Sequence, residues 1–455
     1  MAETSSPTRT IQAARPRMSL AVAMLGFFVV ALDAQIVNVA LPHIRDELSG
    51  GLSGLQWIVT GYTLMFSALQ LFGGSISDRV GARRAFGIGM IVFVLGSAAC
   101  GAAPSLAILI AGRVVQGIGA AMITPTSLAL IREAFHDAVQ RGRAITYWAL
   151  GGSVASAAGP VVGGILTQVG WRWIFFVNLP VGVLALIVLA RVAPSPRRAV
   201  PFDWAGQIAA IAALGGLTFA IIEGGSIGYG APEVLAAFAL AVIGAVMFLI
   251  AQARGLHPMM PLDLFRSTTV SIGLGIAFVT MAAFYGVVFV QSLYFQEQRG
   301  VSALITGLLF LPMTGLVALL NPFVARAMER LGKISTTIGG MTLMALGLLS
   351  QALLPADAPV IVNALLMVPV GLGGSSTVPP LTALILDHIP AERAGTASGV
   401  LNTARQMGGS LGIAIFGAVL ATQTVFQAGL RIDYIVTGLV LLVLAAVTLR
   451  LRKAA

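Results

Sequence analysis

A chain of 455 residues with 57% apolar and 10% charged residues has less than half the roughly 25% charge of a soluble globular protein, which excludes a disordered chain and a soluble enzyme. Its net charge of +10 does not signal nucleic-acid binding, because the cations come in twos and threes between apolar runs, with no basic stripe and no recognition motif. The 53 glycines suit close-packed membrane helices, which favour small residues.

A crossing helix needs about 20 mainly apolar residues. Six such runs are expected at 18–41, 52–74, 85–103, 105–127, 143–167 and 171–192. A polar linker follows at 193–204, then two spans at 205–225 and 231–252, within a segment 205–252 that reads as an insert. A second linker covers 253–267, and six more spans lie at 268–295, 302–324, 335–354, 359–386, 396–421 and 431–450. Long unbroken runs exclude a strand barrel. The N-terminal tail, 1–17, carries Arg9, Arg15 and Arg17 as a signal peptide does, but the next run shows no small-residue cleavage site and reads as the first span.

Orientation follows from the loops. Of 27 Lys and Arg, 21 fall on the side that holds both termini, four on the other (Arg45, Arg172, Arg299, Arg431) and two, Arg113 and Arg405, within spans. This places both termini in the cytoplasm, in a bacterial-type inner (plasma) membrane. Cys100 is the single cysteine, so no intrachain disulfide is possible, and the four histidines have no metal-ligand spacing. No metal, cofactor or nucleophile–base pair is expected, and the chain does not read as an enzyme.

In the first span, Asp33 stands in Ala31-Leu32-Asp33-Ala34-Gln35-Ile36-Val37-Asn38. An intramembrane carboxylate costs about 2.5–3.5 kcal/mol on insertion scales and is a functional-site candidate by default. The competing reading is a structural acceptor that ties helices together. After the second span, Gly74-Ser-Ile-Ser-Asp78-Arg79-Val-Gly81-Ala82-Arg83-Arg84 reads as a gating loop, with Gly74 and Gly81 allowing tight turns and Asp78 able to accept from an Arg or a helix N-terminus. A solvated charge cluster is the plainer alternative.

In the fourth span, Arg113 lies in Arg113-Val-Val-Gln116-Gly117. Asp33 and Arg113 each lie about 12 Å from the outer ends of their spans at 1.5 Å per residue, so a switchable pair is expected, with a structural cation as the rival reading. The fifth span carries Gly151, Gly159, Pro160, Gly163 and Gly164. Small residues on one face permit close helix approach and proline permits a bend, which reads as a hinge or as plain packing. Gln35, Asn38, Gln116, Tyr285, Gln291, Tyr294, Asn321 and Arg405 are candidate cavity-lining groups. Glu223 reads as interfacial.

Two features recur. Acid, Arg and Gly of Asp78-Arg79-Val-Gly81 return as Glu329-Arg330-Leu-Gly332, offset by 251, and Gly117-Ile-Gly119 with Pro125 returns as Gly371-Leu-Gly373 with Pro379, offset by 254. The Arg113 position corresponds to Met367, which confines coupling charge to the first half. Two parallel six-helix repeats, 18–192 and 268–450, around a two-helix insert describe an all-α integral membrane protein of the major facilitator architecture with 14 transmembrane helices, its substrate site at the repeat interface.

Gly74–Arg84 resembles the loop signature of that superfamily, apart from Ala82, where a basic residue is usual. Gly151–Gly164 resembles its antiporter signature, and Leu32-Asp33 through Pro42 resembles the first-helix signature of the fourteen-helix drug:proton antiporters, the EmrB/QacA type. Trp171-Arg172-Trp173 through Asn178, Pro180 and Gly182, Phe202-Asp203-Trp204, Tyr294 through Gly300, and Arg405 through Gly412 also fit. The resemblance implies proton-driven export of hydrophobic, often cationic compounds, with proton coupling at Asp33 and Arg113. It implies a small organic substrate, protons and the lipid bilayer as partners, without nucleic acid. Gln35 in place of the usual Thr, and a short connection between the last two spans, are departures. An exporter of one endogenous metabolite and a non-transporting membrane sensor are the alternative readings.

Overall fold

The computed structural model describes residues 16–197, 201–255, 257–390 and 393–453, without the side chains of 317–322, 452 and 453. The Asn321 side chain therefore lies outside what is described, as does nearly all of the tail expected over 1–17. Among the described residues the regular structure is helical throughout. Its long elements are α1 Pro16–Leu48, α2 Leu52–Val80, α3 Ala82–Gly101, α4 Leu106–Ala134, α5 Ala138–Val169, α6 Trp173–Leu189, α7 Trp204–Ile227, α8 Pro232–Arg254, α9 Thr268–Gln298, α10 Ala303–Leu331, α11 Lys333–Ala352, α12 Val360–Asp387, α13 Ala394–Thr422 and α14 Phe426–Leu451. Ten of these are long and apolar enough to cross a membrane. α2 is less apolar for a physical reason: it buries Gln56, Thr60, Thr63, Ser67 and Gln70 against other helices rather than facing lipid.

Local chemistry sets the helix ends. Asp137 accepts from the Gln140 N–H at 2.9 Å to start α5, and Asp203 accepts from the Gly206 N–H at 2.8 Å to start α7. Each satisfies a donor that the first helical turn leaves free. Interior breaks fall within the turn or so before a proline, which lacks an N–H and whose ring clashes with the carbonyl four residues back. α1 tightens to a 3-10 turn at Val37–Ala40 before Pro42, α6 is interrupted at Val177 before Pro180, and α12 at Met367 before Pro369.

The expected gating loop is mostly helix. Gly74, Asp78 and Arg79 lie within α2, Arg83 and Arg84 open α3, and Gly81 alone makes the turn at φ +89°. Gly74 is therefore not a helix exit. Gly332, with φ +82°, makes the same one-residue turn between α10 and α11. A side chain would be strained at either position.

The two offsets reappear as contacts. Gly119 of α4 lies on the α3 backbone at Phe93 and Gly89, and Gly373 of α12 lies likewise on α11 at Met344 and Gly340. Gly117 meets Tyr62 of α2, and Gly371 meets Met313 of α10. In each half two crossings are made through glycine, where any Cβ would collide with backbone. α1 packs on α5 and α9 on α13. α7 and α8 pair with each other, and α7 lies across α2 and α13.

Polar contacts segregate to two ends. On the side where α1 begins, Arg83 donates to the Leu189 and Ala190 carbonyls, Ser195 bridges Arg83 and Glu133, Lys333 pairs with Asp387, and Arg393 pairs with Asp263. At the far side Trp171 and Arg172 engage Glu47, and Arg299 donates to Ala356 and Ala358.

Candidate functional site

At the centre of the first half, α1, α4 and α6 bring four polar side chains together. Arg113 forms an ion pair with Asp33, and both side chains are 0% exposed. Gln116 donates to Asp33 Oδ1 at 3.0 Å and accepts from Arg113 at 3.0 Å. Their spacing of three residues puts both on one face of α4. Asn178 donates to Asp33 Oδ1 at 2.8 Å from just beyond the break in α6, and also to Ser97 of α3 at 3.0 Å. Arg113 Nε is anchored on the Ile58 carbonyl at 2.9 Å, and its guanidinium lies 4.4 Å from the Tyr62 ring centre. The second terminal nitrogen, Nη2, has no partner among the described residues.

A carboxylate in this position is matched by one cation and two amide donors, the kind of compensation a buried charge requires. Removing one member leaves its partner buried and uncompensated, which is strongly destabilising.

Around the facing surfaces of the halves, Gln35 of α1 and Arg405 of α13 neighbour Tyr285 of α9. Arg405 is half-buried, and its Nε has no partner among the described residues. The other expected lining groups lie elsewhere. Gln116 belongs to the Asp33 cluster. Gln291 donates to Gln351 at 2.6 Å and Asn363 at 2.8 Å inside the second half. Tyr294 is buried at the far end, where Arg299 donates to its hydroxyl at 3.0 Å. Asn38 donates to its own helix, and its carbonyl accepts from Ser292 of α9 at 2.7 Å.

The halves close on each other at the far side. Arg45 pairs with Glu297 at 2.9 Å, with 33% and 19% side-chain exposure, beside a cavity of about 480 Å³ that also touches Gln423 and Phe426. Gln56 of α2 donates to the Ala414 carbonyl of α13 at 2.8 Å. The expected hinge residues of α5 face two ways. Gly151, Gly159 and Gly163 lie on α1, at Met24, Gln35 and Ile36, whereas Gly164 and Pro160 lie on α10, at Ala303 and Gly307. On the near side, a Cβ at Gly399 would lie 3.1 Å from Leu71, Arg79 lies 4.7 Å from the Phe202 ring centre, and Asp78 is exposed, without an ion pair among the described residues.

Glu223 accepts from Trp57 at 2.8 Å, which fastens α7 to α2. Several groups escaped the sequence reading. Asn178 and Ser97 are neutral polar residues inside apolar runs. Asp433 is 3% exposed in the second half, with no partner on Oδ2. The expected span from 431 left it at an interface, but α14 begins at Phe426, so buried carboxylates are not confined to the first half. Met367, the counterpart of Arg113, is fully buried. Among the described residues no group of three His, Cys, Asp or Glu is placed to hold a metal.

Residues 23–413 match the Major Facilitator Superfamily model. The chain is 39% identical over 403 residues to "Multidrug resistance protein Stp" of Mycobacterium tuberculosis (strain CDC 1551 / Oshkosh), covering 87% of this chain and 74% of that one. It is 35% identical over 425 residues to "Methylenomycin A resistance protein" of Bacillus subtilis (strain 168), covering 92% and 91%. Among solved structures, a peptide transporter superposes with a TM-score of 0.70 at 16% identity, over 99% of both chains, which speaks to the fold alone. With ten apolar helices of crossing length, a family model over most of its length and relatives of this identity, the chain is a multi-pass membrane transporter, not an enzyme, and belongs to the Major Facilitator Superfamily.

Proposed function

We propose that this chain is a proton-coupled antiporter that exports hydrophobic or cationic organic compounds by alternating access, and that it belongs to the fourteen-helix branch of its superfamily. Export is supported by the resistance functions named for relatives at 35–39% identity. The observation that carries the coupling is the ion pair of Asp33 and Arg113 in a site without exposure. A proton arriving at Asp33 cancels the charge that holds Arg113, and differential interaction of that kind is what biases two global states.

In this reading fourteen helices cross the inner membrane, and the 21-to-4 division of cations supports termini in the cytoplasm. The recurring glycine contacts support two parallel repeats, 18–192 and 268–450, that rock about α5 and α10, with 193–204 and 253–267 as linkers around the insert. The far side is then the outer side, closed here by Arg45–Glu297. The helix-turn-helix at Gly74–Arg84 is the inner gate, and Gln35, Tyr285 and Arg405 line the substrate path.

Efflux of several unrelated dyes from cells expressing the chain, with and without a proton uncoupler, tests this function. Uncoupler-sensitive efflux of more than one dye is expected. Efflux of a single compound would favour a dedicated metabolite exporter, and no efflux together with no proton flux would refute transport.

A further inference from the structure

A wide apolar groove lies not between the halves but beside them. This groove of about 650 Å³ lies under the inserted pair, with Leu71 of α2 and Met407 of α13 on its floor, Ala213 of α7 and Ala245 and Phe248 of α8 on its wall, and Met260 at its mouth. That volume is in the range of about 300–1,000 Å³ typical of small-molecule sites, and the lining is almost wholly apolar. The alanines make the slot: a larger side chain at 213 or 245 would fill it. The floor is a seam, since α2 belongs to one half and α13 to the other. α7 spans the seam, bonded to α2 through Gln207 to the Ala68 carbonyl at 2.9 Å and touching α13 through Gly225 at Ala418.

Charge at the mouth identifies the occupant. Phe265 lines the groove and the next residue, Arg266, is exposed, as is Arg254 at the end of α8. Neither arginine belongs to an ion pair among the described residues. The nearby acids are engaged first by other groups, although Arg266 also lies within electrostatic reach of Asp263. Asp203 accepts from Gly206 and Gln252, and Asp263 is paired with Arg393, which also holds its carboxyl below the usual carboxylate range. The groove is therefore an apolar slot whose lining residues Leu249, Met259 and Phe265 are followed or flanked in the chain by two exposed cations, Arg254 and Arg266, on the side where α1 begins. Basic pockets between helices on that side of a membrane recruit anionic head groups.

We propose that this groove is a binding site for an anionic phospholipid of the leaflet next to the termini, with an acyl chain in the slot, the phosphate at Arg254 and Arg266, and the lipid bracing the seam of α2 and α13 beneath α7. The site is separate from the Asp33 cluster and does not depend on the transported compound.

The test uses the full chain in detergent, titrated with phosphatidylglycerol or phosphatidylcholine and followed by native mass spectrometry. A phosphatidylglycerol with a photoreactive acyl chain maps the site in nanodiscs. One phosphatidylglycerol should bind at least tenfold more tightly than phosphatidylcholine. Arg254→Gln with Arg266→Gln, on an exposed rim, should weaken it about twenty- to thirty-fold, the effect of two head-group contacts. Photolabelling should fall on peptides around 241–260 and 400–407. Ala213→Trp with Ala245→Trp should abolish that labelling, with thermal unfolding as the control for folding. Equal binding of the two lipids, indifference to the arginine variants, labelling elsewhere, or displacement of the lipid by a lipophilic cationic dye would each overturn the assignment.

Discussion

Asp33 and Arg113 hold each other in a site from which water is excluded, so the two are energetically one unit. Arg113→Met leaves Asp33 buried without its cation and should destabilise the protein by about 3–5 kcal/mol, read by unfolding in detergent. Adding Asp33→Asn should recover part of that loss, because residues in direct contact are not additive. Additive losses would mean that the pair is not coupled. Both residues were legible in the sequence, since charge is rare enough in an apolar run to announce itself and depth follows from helical rise. Asn178 was not. A neutral amide in an apolar helix is common, and its importance comes from the break at Val177, which delivers it to Asp33 from a distant part of the chain. Asp433 was missed for the opposite reason: its charge was plain, but the helix edge that decides its burial was placed five residues too late.

Helix ends were read short at most spans, because hydropathy marks the apolar stretch while the helices run on past it, although 171–192 overran α6 at both ends. α2 continues to Val80 and carries Gly74, Asp78 and Arg79 with it. Small residues were legible as a class, but not the partner each one meets. α5 divides its glycines between α1 and α10, and periodicity alone does not assign them. The contact between α5 and α10 makes a sharp prediction. A Cβ at Gly307 would lie 2.8 Å from the Pro160 carbonyl carbon and 3.1 Å from Val161 Cα, closer than backbone tolerates. Gly307→Leu should therefore hold the far side open. Ser292, buried beneath that closure, reports on it: in a Ser292→Cys background an impermeant maleimide should react at least tenfold faster when Gly307→Leu is present. The one native cysteine, Cys100, is buried and should stay silent. An unchanged rate would show that this crossing is not part of the closure.

At the scale of the whole molecule, the offset of 254 matches glycine contacts that recur on α4 and α12, and the offset of 251 matches the one-residue turns at Gly81 and Gly332. Composition pointed to a bilayer, and the division of loop cations supports the orientation proposed above. What composition does not carry is how the inserted pair seats itself, since α7 and α8 are apolar on nearly every face and their packing is set by small-residue fit. Sidedness is open to direct test. On intact cells an impermeant maleimide should label Asp357→Cys, in the connection before α12, and leave Asp137→Cys, before α5, unlabelled. The reverse pattern would invert the topology.

The coupling itself is tested most directly by efflux of a lipophilic cationic dye, chosen as one the wild-type chain exports, from proteoliposomes under an imposed pH gradient, for the wild-type chain and for Asp33→Asn inserted at equal density. Gradient-driven efflux should be lost in Asp33→Asn while downhill exchange of the dye persists. Efflux that is undiminished in that variant and still abolished by an uncoupler would contradict the account.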